Sequence, residues 1–203
     1  MKRIWLLGIF VLTVSLLGFA VWAQTETGGE SGGEMAEETG GMEETGGMSE
    51  DETSAAQYLE ELQAAPYTDW AFEPGVPEGF YTGNAPHGLI LRTFINDVTA
   101  EAVGSGADAF PEGSILVKEN HLPGDIDVES MENHAAVEGF EGDLSDITYM
   151  VKVAGYNPDA GDWFWAKQTL EGEIIAAGQP DGCIGCHTQV ADNDYVFDAS
   201  LSE

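Results

Sequence analysis

"DITYMVKVAGYNPDAGDWFWAKQT" occupies residues 146–169. Two runs rich in β-branched and aromatic residues, "DITYMVKV" (146–153) and "DWFWAKQT" (162–169), flank a stretch of Gly, Asn, Pro and Asp, the residues that make turns. That is the pattern of two strands joined by a loop. Working outward, "GLILRTFIN" (88–96) and "SILVKEN" (114–120) precede the pair and "GEIIAAG" (172–178) follows it. Each is short, apolar and bounded by Gly, Pro, Asn or Asp. "NDVTAEAVG" (96–104) predicts a short helix capped by Asn96 or Asp97. "SAAQYLEELQAAP" predicts a helix opening at Ser54, with Gln57 completing a capping box, Tyr58, Leu59 and Leu62 as its apolar stripe, and Pro66 as its stop. Residues 121–145 are polar and acidic and carry no readable element. The order of elements predicts a mainly β (α+β) fold: one antiparallel-sheet domain with a few short helices over residues 54–203.

Two further segments precede that domain. Lys2 and Arg3 are followed by "IWLLGIFVLTVSLLGFAVWA", which reads as a secretory signal with Val21 and Ala23 at the −3 and −1 places of a cleavage site. The apolar run is long for a signal core, so residues 1–23 are either a cleaved signal or an uncleaved membrane anchor. Residues 24–53 hold ten acids and eight glycines, with no Val, Ile, Leu or aromatic residue. Such a segment buries too little apolar surface to offset its chain entropy and is expected to be a disordered tether. As a flexible coil its thirty residues span roughly 30 Å. Its methionines, Met35, Met42 and Met48, lack the ordered frame that would converge them on copper.

The whole chain has 37 Asp and Glu against 6 Lys and Arg. Removing residues 1–23 leaves Arg92, Lys118, Lys152 and Lys167 as the only basic side chains. A surface this acidic excludes nucleic acid and anionic lipid as partners and steers basic ones. Contact with a membrane is expected only through an uncleaved N-terminal anchor, and the location only outside the cytoplasm, periplasmic or secreted.

Both cysteines lie in "CIGCH" (183–187). A thioredoxin-like dithiol calls for a preceding βαβ context, and a structural zinc site calls for about four ligands; the sequence offers neither. Two thiols three residues apart with a histidine directly after are the attachment signature of a c-type haem. One covalent haem c is therefore expected, on thioethers from Cys183 and Cys186, with His187 as the proximal iron ligand. Residues 188–203 contain no Met or His. The sixth position is then either open or filled from upstream by His87, His121, His134, Met131 or Met150. An open position favours binding or catalysis over plain electron transfer.

"PHGLILRTFIN", "FPEGSILVKE", "YMVKVAGYNPDAGDWFWA", "CIGCH" and "DNDYVF" together resemble, in this order, the cytochrome P-460 family, over about residues 80–198. Its non-crosslinked relatives are the cytochromes c′-beta. The resemblance implies an exported, mostly antiparallel-sheet protein, often a homodimer, with an open distal site on a c-haem. It further implies oxidation of hydroxylamine or nitric oxide, with electrons passed to a redox partner cytochrome. It matches Lys118 to the lysine that crosslinks to the macrocycle and Arg92 to a distal arginine over the iron. Two other functions stand beside this one: a nitric-oxide or small-ligand binder of the c′-beta kind, and a tethered electron carrier. Hydroxylamine oxidation also needs a base, and "ITYMVKV" offers Thr148 and Met150, or Tyr149 on the other face, but no carboxylate.

Overall fold

A computed structural model describes residues 48–201; the apolar segment 1–23 and the acidic segment as far as residue 47 lie outside it. The chain runs α1 (Glu50–Ala64), β1 (Ala71–Phe72), β2 (Tyr81–Thr82), β3 (Ile90–Ile95), α2 (Asp97–Ser105), β4 (Ile115–His121), β5 (Leu144–Lys152), β6 (Trp163–Gln168), β7 (Ile174–Gly178) and α3 (Asp181–His187). The strands form one antiparallel sheet in the order β1-β3-β4-β5-β6-β7, with β2 also paired to β3. The expected class is therefore the observed one.

Each central strand buries both faces. Side chains alternate across a strand, so the pairing register assigns every residue to a side. Phe94, Val117, Tyr149 and Ala166 form one row across β3–β6. They pack with Ala55, Leu59 and Leu62 of α1. Tyr149 Oη and Gln168 Nε2 both donate to the Ala55 carbonyl, at 2.9 and 3.2 Å, pinning the helix to this side. On the other side Ile95, Leu116, Met150 and Trp165 pair in a row and pack with Ala102 of α2 and with Cys183 and Ile184 of α3. The sheet thus separates a helix-covered face from the face that carries "CIGCH".

α1 opens earlier than the sequence predicts. Ser49, not Ser54, is its N-cap: Ser49 Oγ accepts from Glu52 N at 3.2 Å, and Glu52 Oε2 accepts from Ser49 N at 2.7 Å. Glu50, Asp51 and Glu52 fill the first turn, where the helix dipole favours negative charge. Residues 50–53, the last of the expected tether, are therefore helical. Asn96 caps α2 as expected and also ties it to the sheet. Its Oδ1 accepts from Thr99 N and Ile115 N, and its Nδ2 donates to the Gly113 carbonyl at 2.8 Å. Asn96→Ala is expected to lower stability by about 1–2 kcal/mol, read as a lower urea midpoint at unchanged slope.

Candidate functional site

α3 lies against the sheet face opposite α1. Pro180 presets its first turn, and the Pro180 carbonyl accepts from Cys183 N at 3.0 Å and Ile184 N at 3.1 Å. The spacing of Cys183 and Cys186 puts both thiols on one turn; both are free and half-buried. His187 Nδ1 lies 2.6 Å from the Tyr195 carbonyl, which can only accept, so Nδ1 carries the proton and Nε2 keeps a free lone pair. Burial pushes the His187 ring below its ordinary value, which keeps it neutral, as an iron ligand must be. Phe197 and Trp165 flank the ring, with centroids at 5.2 and 6.4 Å.

The floor of the site is a row that the register fixes as Thr93, Lys118, Thr148 and Lys167. Lys118 therefore stands on the His187 face, and its Nζ lies 3.7 Å from Asp198 Oδ2. Burial alone would push the Lys118 ammonium down. Glu73 first, then Tyr81 and Asp198, outweigh it and hold the group above the ordinary lysine value. Lys167 pairs with Asp146 at 3.4 Å. His87 reaches over the floor from the loop before β3, its Nδ1 3.1 Å from Thr148 Oγ1 and its ring centroid 6.3 Å from that of His187. Burial, then Lys118 and His187, push His87 down to about 3, so it is neutral at physiological pH.

Of the other candidate sixth ligands, His121 bonds Glu119 at 3.1 Å and packs on Phe80 and Phe140, away from His187. His134 faces Asp198 and Tyr81. Met150 is part of the buried row under α3. Met131 is half-buried in the loop before β5.

Arg92 does not join this group. It pairs in register with Glu119, one position out of step with Lys118, and so points to the α1 side of the sheet. Its Nε donates to Glu119 Oε2 at 2.7 Å, and its guanidinium lies over the Phe80 and Phe94 rings at 4.8 and 5.1 Å. Tyr67 and His121 complete that network on Glu119. The expected place for Arg92 over an iron at His187 is corrected accordingly: it is a packing and ion-pair residue of the opposite face.

The site does contain carboxylates, which "ITYMVKV" itself does not supply. Asp146 stands on the Lys118 side of β5, where Asn120 Nδ2 donates to it at 2.6 Å. Glu73 follows β1 and is 3% exposed. Asp198 arrives with the segment after α3. Gly75, at φ 95°, lets these two segments meet, since a Cβ there would clash with the Asp198 carbonyl. The signal for Asp198 lay directly after "DNDYVF"; nothing around Glu73 marked it.

Two thiols on one turn, a neutral imidazole with a free Nε2 and an aromatic wall suit a covalently held haem. Trp165 Nε1 strengthens the fit: it is a buried donor beside His187 with no acceptor among the described residues, and a haem carboxylate would supply one. Fold and donor set thus define the class, a β-sheet haem protein. The Cytochrome P460 family model matches residues 76–198, and the chain belongs to that family. It is accordingly a haem cytochrome. No curated protein matches the chain.

Proposed function

We propose that this is an exported cytochrome with one c-type haem that oxidises hydroxylamine or nitric oxide and passes the electrons to another cytochrome. Cys183 and Cys186 would hold the haem by thioethers and His187 its iron, and the haem would supply a redox centre that exchanges single electrons. The observation that carries the reading is Lys118. It stands on the His187 face of the sheet, with Glu73 and Asp198 beside it, so an amine and its proton acceptors share one pocket. A lysine becomes a nucleophile only as the neutral amine, so a bond between Lys118 and the macrocycle would require it to give up the proton that Glu73 and Asp198 favour. An acidic surface suits a basic redox partner. Export follows from the reading of residues 1–23, and a homodimer from the family resemblance.

A second reading draws on the Lys118–Asp198 ion pair itself. A lysine kept as ammonium stays free, as in a small-ligand binder of the c′-beta kind. The test is a peptide map and absorption spectrum of the matured protein, followed by a hydroxylamine assay with a dye acceptor. The expected result is a Lys118 peptide still joined to the haem peptide, a strongly red-shifted Soret band and turnover. A free Lys118 peptide with an ordinary c-haem spectrum and no turnover would leave the second reading in its place.

A further inference from the structure

Glu73 is the most deeply buried carboxyl group beside the site. Its Oε1 accepts from Ala199 N at 3.3 Å, and its Oε2 is buried with no hydrogen-bond partner among the described residues. A buried carboxylate with an unmet oxygen is costly, and the cost falls when that oxygen takes a proton. Around it, the Tyr81 and Thr93 hydroxyls hydrogen-bond at 2.5 Å, Lys118 Nζ lies 3.7 Å from Asp198 Oδ2, and His134 Nδ1 lies 3.8 Å from Asp198 Oδ1. The order of exposure runs outward, from buried Glu73 through Asp198 to His134, whose side chain is 34% exposed. Movements of about 0.5–0.9 Å would turn both ion-pair contacts into hydrogen bonds.

We propose that Glu73 and Asp198 form the proton-handling group of this pocket, taking up protons released when substrate is oxidised and passing them to solvent through His134. The proposal rests on the hydroxylamine reading. Oxidation of hydroxylamine to nitroxyl, NH2OH → HNO + 2 e− + 2 H+, sends two electrons to the acceptor cytochrome and leaves two protons in a pocket walled by Phe197, Trp165 and the sheet. Burial lifts Glu73 to about 7, against the pull of Lys118 and with Asp198 adding to the rise, so it can bind and release a proton near neutrality. The groups facing it are Lys118 from β4, Tyr81 from β2, Thr93 from β3, and Asp198 with the Ala199 N–H from the C-terminal segment. His134 faces Asp198, and His87 and His187 feel Lys118 from the far side. Glu73 and Asp198 are positioning residues that act on protons, and neither is assigned contact with substrate.

The test is the pH dependence of the reduction potential of the holoprotein, measured by spectroelectrochemistry from about pH 5 to pH 9 without substrate. Wild type is expected to take up close to one proton per electron around neutral pH. Glu73→Gln, which keeps the shape and removes the acid, should abolish that dependence while leaving the Soret band and circular dichroism unchanged. It should also slow hydroxylamine turnover about 100-fold. In the infrared, a deuterium-sensitive band of a protonated carboxyl group should fade above pH about 7 in wild type and be missing in Glu73→Gln. Asp198→Asn should shift the same proton uptake, and it serves as the probe if Glu73→Gln fails to mature. A Glu73→Gln protein with the wild-type pH dependence and the wild-type band would overturn the proposal, even if wild type oxidises hydroxylamine. Loss of both in a protein whose wild type leaves hydroxylamine untouched would sink the substrate reading and keep the proton site.

Discussion

In a Lys118→Met background, which removes the other proposed covalent link, Cys183→Ala/Cys186→Ala protein, matured alongside its parent by a c-haem assembly system, is expected to carry no haem after denaturation. The thiols are the only cysteine sulfurs in the chain, both on one turn of α3, and no other side chain here can add to a vinyl group to replace them. Each single variant should keep one thioether and appear, by intact mass, still carrying haem. The apo fold should be little affected. Both cysteines are only half-buried, and the hydrogen bonds that set α3 run from backbone N–H groups to the Pro180 carbonyl. The measurement is intact mass with a haem stain on a denaturing gel. Full-strength staining of the double variant would show that the attachment lies elsewhere.

The second large effect is expected at Trp163, whose replacement by alanine should cost about 3–5 kcal/mol in chemical denaturation. Trp163 is fully buried, meets Phe110 edge-on at 5.8 Å, and carries the Lys152 ammonium 4.8 Å above its ring. Its Nε1 donates to the Asp194 carbonyl at 2.8 Å. Asp194 in turn binds Lys152 Nζ with both oxygens, at 2.7 and 2.6 Å, and accepts from Phe110 N. Asp194 and Tyr195 both hold positive φ, 51° and 67°, a conformation that persists only where surroundings over-determine it. Because the Tyr195 carbonyl orients His187, loosening Trp163 should also change the haem spectrum. Trp163→Phe keeps most of the ring and loses only the N–H bond, so its cost should be about 1–3 kcal/mol. Equal losses for the two variants would show that the bond, not the ring, does the holding.

The strands were legible because each is a short β-branched or aromatic run between turn residues, and the five predicted ones match β3–β7 within a few residues. The start of α1 was misread because Ser54 with Gln57 and Ser49 with Glu52 both satisfy the same capping pattern. The acids that favour the true first turn also look like more tether. α3 escaped notice as a helix because a seven-residue segment with two glycines has little helical propensity of its own. Strand alternation puts Arg92 on one face with Ile90 and Phe94. Which face that is depends on α1, and no pattern inside β3 encodes it. The carboxylates Glu73 and Asp198 come from opposite ends of the domain, 125 positions apart, and meet only through the Gly75 turn.

All seven strands precede "CIGCH" in the chain. Along β3–β7 each strand pairs with the one before it in the chain, so the sheet can zip up hairpin by hairpin as it folds. "CIGCH" comes only afterwards, and the segment behind it wraps back through Asp194, Tyr195 and Asp198. In the proposed haem c, both thioether sites would therefore stand beside strands that are already paired, and the segment that brings the Asp198 carboxylate to Lys118 would fold back only after α3 is in place.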